Sequence, residues 1–123
     1  MTRILIIEDF EPVRSMLRIT LEKAGYDVFQ ASDGKSGIDK FKEQPADLVI
    51  TDILMPEKEG IETMLEIRKL APEVKIIAIS GGGRIPAKEY LSLARRLGAD
   101  RTFGKPVDSD QLLSAITELI YSS

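Results

Sequence analysis

The sequence predicts a doubly wound α/β domain built on one five-stranded parallel sheet, with five strand–helix pairs and no linker or repeat. Three observations lead there. Short, continuous, mostly β-branched runs occur at 4–7, 48–50 and 76–79; apolar residues at helical spacing fill the intervals; and capping or breaking residues stand at the junctions. Apolar runs without alternation suit strands buried on both faces of a parallel sheet.

The first strand is Ile4-Leu5-Ile6-Ile7. Pro12 suits the first turn of the helix that follows, where Val13, Met16, Leu17, Leu21 and Ala24 recur at helical spacing before Gly25 stops it. Tyr26 to Ala31 alternates, with Tyr26, Val28 and Gln30 opposite Asp27, Phe29 and Ala31, as a strand of mixed polarity does. Asp33 can cap a short second helix carrying Ile38 and Phe41, which ends by Gln44 because Pro45 follows. After Leu48-Val49-Ile50, the residues Ile61, Met64, Leu65 and Ile67 mark a third helix before Pro72. Ile76-Ile77-Ala78-Ile79 forms the fourth strand. Pro86 opens a fourth helix with Ala87, Tyr90, Leu91, Ala94 and Leu97 inward and Gly98 closing it. Arg101-Thr102-Phe103 is a short, half-polar strand, and Asp108 with Gln111 gives a capping-box pattern for a last helix burying Leu112, Leu113, Ile116, Leu119 and Ile120. The two weaker strands, second and fifth, belong at the edges. This fits the order 2-1-3-4-5 of flavodoxin-like (βα)5 folds, whose crossovers are right-handed.

Composition excludes several classes of function. The 123 residues are 43% hydrophobic and 30% charged, an ordinary globular balance for one domain. Cysteine and histidine are both absent, which removes disulfides, thiolate or imidazole metal sites and a Ser-His-Asp triad. A net charge of −3 gives no electrostatic pull toward nucleic acid or acidic membranes. No apolar run is long enough for a membrane span or a signal peptide, so the expected location is cytoplasmic.

In sheets of this kind ligands sit outside the carboxyl ends of the strands. Those ends read Glu8-Asp9, Asp52, Ser80 and Gly104-Lys105-Pro106. Each alone has a plain structural account. Asp9 could cap a helix, Glu8 could be a solvated strand end, Ser80 before Gly81 makes a turn pair, and Lys105 could lie on the surface. Asp52 is different, since Ile53-Leu54-Met55-Pro56 behind it is no helix start. Gathered at one edge, three carboxylates repel, by about 4 kcal/mol per pair at about 4 Å and an effective dielectric near 20. A hard divalent cation relieves this, and Mg2+ suits few carboxylates, several waters and a phosphoryl group better than zinc does.

Ile-Ile-Glu-Asp at 6–9, Asp-Ile-Leu-Met-Pro at 52–56 with Gly60 four beyond the proline, Ile79-Ser80-Gly81, Gly98-Ala99-Asp100 and Lys105-Pro106 stand in one order along the chain. In this the sequence resembles the receiver domains of bacterial two-component response regulators over essentially all of residues 1–123, and in particular stand-alone, chemotaxis-type receivers. The resemblance implies a phosphoacceptor rather than an enzyme in its own right. Asp52 would attack a phosphohistidine on a sensor histidine kinase or histidine phosphotransfer protein. Asp9, Asp52 and the Leu54 carbonyl would bind Mg2+, with Glu8 holding it through water. Lys105, Ser80 and the Gly81 amide would meet the phosphoryl oxygens, and the Lys105–Pro106 bond would be cis. The output surface would be the face of the fourth helix and fifth strand, meeting a downstream protein, the domain itself being a monomer or weak dimer.

The sequence departs from the family where a rotating aromatic usually stands three residues before the lysine. Thr102 occupies that place, and Phe103 points to the opposite face. With Gly81-Gly82-Gly83 after Ser80, the expected switch is an ordering of the loop at 80–85. Competing folds fit less well. A haloacid dehalogenase needs Asp-x-Asp after the first strand, where Asp9-Phe10-Glu11 stands. A flavodoxin needs a hydroxyl-rich phosphate loop there, and a dinucleotide-binding domain needs G-x-G-x-x-G. A non-phosphorylated pseudo-receiver is the remaining alternative, as is a receiver excised from a larger regulator.

Overall fold

The computed structural model describes residues 2–53, 59–81 and 87–121. Strands β1 (Arg3–Ile7), β2 (Asp27–Ala31), β3 (Leu48–Asp52), β4 (Lys75–Ser80) and β5 (Arg101–Gly104) form one parallel sheet in the order β2-β1-β3-β4-β5. They alternate with helices α1 (Glu11–Lys23), α2 (Gly34–Glu43), α3 (Glu59–Leu70), α4 (Ala87–Arg96) and α5 (Ser109–Tyr121).

The continuous apolar runs divide between two cores because successive strand residues face opposite sides. Leu5, Ile7, Val49, Ile76 and Ala78 pack with Phe41, Met64, Ile67 and Ala94 under α2, α3 and α4. Ile4, Ile6, Leu48, Ile50, Ile77 and Ile79 pack with Leu17, Leu21, Leu112 and Ile116 under α1 and α5. Both helix-start signals at the aspartates hold: Asp33 accepts from the Ser36 amide at 2.7 Å and Asp108 from the Gln111 amide at 3.0 Å.

Glycines set two of the closest approaches. At Gly37 an added Cβ would lie 2.5 Å from Ile7 Cδ1, so α2 rests directly on β1. At Gly60 it would come within 2.6 Å of the Ile53 carbonyl carbon and nearer still to the Asp52 carbonyl oxygen, so the first turn of α3 lies flush on the backbone that carries Asp52.

Away from the carboxyl edge, the Arg68 guanidinium ties the far end of β4 and β5. It donates to the carbonyls of Pro72 (2.9 Å), Val74 (2.5 Å) and Gly98 (2.7 Å) and to Asp100 Oδ2 (3.1 Å), which also accepts from the Ile76 amide at 2.8 Å. Asp100 is therefore an organiser of the turn into β5.

Leu97 corrects the expectation that it faces inward. Helix α4 ends at Arg96, Leu97 falls in the turn before Gly98 (φ 122°), and it is 36% exposed. A residue past the last helical turn no longer follows the helical stripe. Met16 and Leu65 are also outward, while Thr63 takes a buried place on α3. The expected start of α4 at Pro86 and the side chains of Ala87 and Tyr90 lie outside the described residues, as do Leu54, Gly82 and Gly83.

Candidate functional site

The parallel sheet brings the ends of β1, β3, β4 and β5 to one edge. Glu8 follows β1 on the same side as Ile4 and Ile6, continuing an inward row, and is fully buried. The solvated alternative for Glu8 is thereby overturned: strand alternation carries it inward, and the ammonium of Lys105, just beyond β5, meets it there. Asp52 is the last residue of β3 and is 2% exposed; Ser80 ends β4 and is fully buried. Asp9 remains exposed. Capping does not account for it, because the N-cap of α1 is Phe10, with no side-chain cap bond.

Lys105 joins the set from beyond β5. Its Nζ donates to Asp52 Oδ2 at 2.9 Å and forms an ion pair with Glu8 Oε1 at 2.8 Å. Glu8 Oε2 accepts from the Phe10 amide at 3.1 Å. The Lys105 amide donates to the Ser80 carbonyl at 3.0 Å, and the bond to Pro106 is cis. The stem of Lys105 passes Gly81 so closely that a Cβ there would sit 3.2 Å from Lys105 Cδ.

The charges respond to this crowding. Burial first, and the Asp52 charge after it, push Glu8 from the ordinary 4.5 up to about 7 against the opposing pull of Lys105. Burial acts to lower Lys105, but the two carboxylates beside it outweigh burial and hold the ammonium above its usual value.

One carboxylate oxygen each from Glu8, Asp9 and Asp52 lies within 4.8 Å of the others. All three are hard donors and neither sulfur nor imidazole exists in the chain, so the set fits a hard divalent cation such as Mg2+ and not zinc. The mixture of buried and exposed carboxylates suits a cation that keeps part of its water shell.

Of the residues named for a switch, Thr102 pairs in register with Ala78, which packs under α4, and Phe103 packs with the α1–α5 core. The two point to opposite faces, as strand geometry requires. Arg14 was not singled out from the sequence. Its Nη1 donates to the carbonyls of Glu8 (2.8 Å) and Asp9 (3.5 Å). The available signal was a guanidinium three residues before Leu17 on the buried stripe of α1, one helical turn and a little more past the acidic pair.

The flavodoxin-like sheet thus carries at its carboxyl edge three carboxylates, two of them, Glu8 and Asp52, bridged by Lys105. The chain belongs to the response regulator receiver domain family, whose sequence model matches residues 4–117. It is 35% identical to the chemotaxis protein CheY of Thermotoga maritima over 95% of this chain and 96% of that one. It is 36% identical to the CAI-1 autoinducer sensor kinase/phosphatase CqsS of Vibrio cholerae over 93% of this chain and 17% of that protein. A receiver domain protein of Clostridium thermocellum, 32% identical, superposes with a TM-score of 0.88 over 98% of this chain and 94% of its own.

Proposed function

We propose that residues 1–123 act as one Mg2+-dependent phosphoacceptor switch, with Asp52 as the residue phosphorylated. The observation that carries this reading is the placement of a buried carboxylate, Asp52, within 2.9 Å of the Lys105 ammonium and beside Glu8 and Asp9. An Asp52 oxygen attacks the phosphorus of a phosphohistidine on a sensor histidine kinase or histidine phosphotransfer protein. The new O–P bond forms as the P–N bond breaks, and its electron pair stays on the imidazole nitrogen, which takes a proton from solvent.

Lys105 already sits where charge develops, and it passes from Asp52 Oδ2 to a phosphoryl oxygen. The Ser80 hydroxyl and the Gly81 amide bind the remaining oxygens. Asp9 and Asp52 would hold Mg2+ directly, and Glu8 through water; the ion would supply neutralisation of the phosphoryl oxygens. The Leu54 carbonyl expected in the same set lies outside the described residues.

The modified domain then docks a downstream protein through the α4 and β5 face, beside a groove of about 420 Å3 that Thr102, Phe103 and Gln111 help to line. The expected monomer or weak dimer works in the cytoplasm; among the described residues no helix is long and apolar enough to cross a membrane.

Mass spectrometry after acetyl phosphate treatment tests the reading. Wild-type protein should gain one phosphoryl group on Asp52 with Mg2+ and not in chelator, and Asp52→Asn should gain none while staying folded. No gain in wild type, or undiminished labelling of the variant, sinks it and favours a pseudo-receiver that acts by binding alone.

A further inference from the structure

The acidic pair Glu8-Asp9 stands on a turn whose backbone must hold still for the three carboxylates to converge. Helix α1 supplies one restraint through its own first turn, the Arg14 amide donating to the Phe10 carbonyl at 3.0 Å. A second comes from the Arg14 side chain, which reaches back from the same turn to the carbonyls of Glu8 and Asp9. The half-buried guanidinium thus grips both carbonyls of the two residues that present carboxylates, and the Phe10 amide between them and the helix is held by Glu8 Oε2. No contact of Arg14 with a site carboxylate is needed for this, since the grip is on the main chain.

We propose that Arg14 is a positioning residue for the metal site: its guanidinium, through Nη1, fixes the Glu8-Asp9 backbone so that their carboxylates face Asp52. This rests on the Mg2+ reading of the site above. Two physical effects of Arg14 have opposite signs. As a nearby positive charge it opposes a divalent cation, so its removal by charge alone would tighten Mg2+ binding. As a clamp on the ligand-bearing turn it favours binding, so its removal weakens it, by about tenfold or more if it behaves like other supporting partners of metal ligands.

Titration calorimetry with Mg2+ on wild type, Arg14→Met and Arg14→Lys separates the two. The expected result is about tenfold weaker binding in Arg14→Met, which matches the guanidinium stem without its donors, and partial recovery in Arg14→Lys, which can reach one carbonyl. In metal-free protein, hydrogen exchange at the Phe10 amide should accelerate in Arg14→Met while amides in the centre of β3 keep their protection. Should Arg14→Met fail to fold, the Arg14→Lys titration decides alone, with weakened binding expected and unchanged or tighter binding contrary. Wild-type protein that takes up no Mg2+ refutes the reading of the site and this proposal with it. Wild-type binding accompanied by equal or tighter binding in the variants overturns the role of Arg14 alone.

Discussion

Replacing Glu8 by glutamine removes a charge from the most enclosed point of the site while nearly preserving its shape. In the folded protein burial, resisted by the Lys105 ammonium, moves this carboxyl from 4.5 to about 7. The folded state therefore holds the proton more tightly than the unfolded chain does. Its stabilising effect is fully present below pH 4.5 and is lost as the pH rises through about 7. The span between those values amounts to about 3 kcal/mol, at about 1.4 kcal/mol per pH unit, and about 2 kcal/mol of it is lost between about pH 5 and about pH 8. Glutamine does not titrate, so Glu8→Gln lacks this term while all other carboxylates remain. Urea unfolding followed by far-ultraviolet circular dichroism in chelator, at both pH values, measures the difference between the proteins. The variant should gain on wild type by about 2 kcal/mol as the pH is raised. A difference that stays level across the range, or moves the other way, would refute the argument that Glu8 is buried at the expense of its charge.

Gly60→Ala should destabilise by the upper part of the about 1–3 kcal/mol typical of overpacking, or more, because the added methyl meets the backbone of Asp52 and Ile53. Gly37→Ala should cost less in the same urea assay, since the obstacle there is the side chain of Ile7 rather than backbone; equal costs would contradict this account. Mg2+ titration of Asp9→Ala and Glu8→Ala should show the larger loss for Asp9, which faces solvent at the mouth of the triad, than for Glu8, already engaged by Lys105 and the Phe10 amide. Equal losses would contradict the division into a direct and a water-mediated ligand.

What the sequence by itself determined was everything governed by periodicity and by the ends of elements. The runs at 4–7, 48–50 and 76–79 announce strands because only a sheet covered on both sides buries every residue of such a run, and the two cores bear that out. Asp33 and Asp108 announce helix starts because a short side-chain oxygen bonds amides two or three residues ahead. Once five parallel strands are granted, Glu8, Asp9, Asp52, Ser80 and Lys105 must share an edge, so the membership of the site was legible too. Only the tertiary structure decided how those groups are arranged against one another. That Glu8 is buried and Asp9 exposed, that Lys105 spans Glu8 and Asp52, and that Arg14 grips the carbonyls behind the pair all depend on atoms from separate elements. A one-dimensional pattern says which face a residue is on, but burial and charge depend on what other segments bring opposite it. Leu97 shows the same limit from the other side: its spacing fits the buried stripe of α4, yet the helix ends one residue earlier and leaves it to solvent.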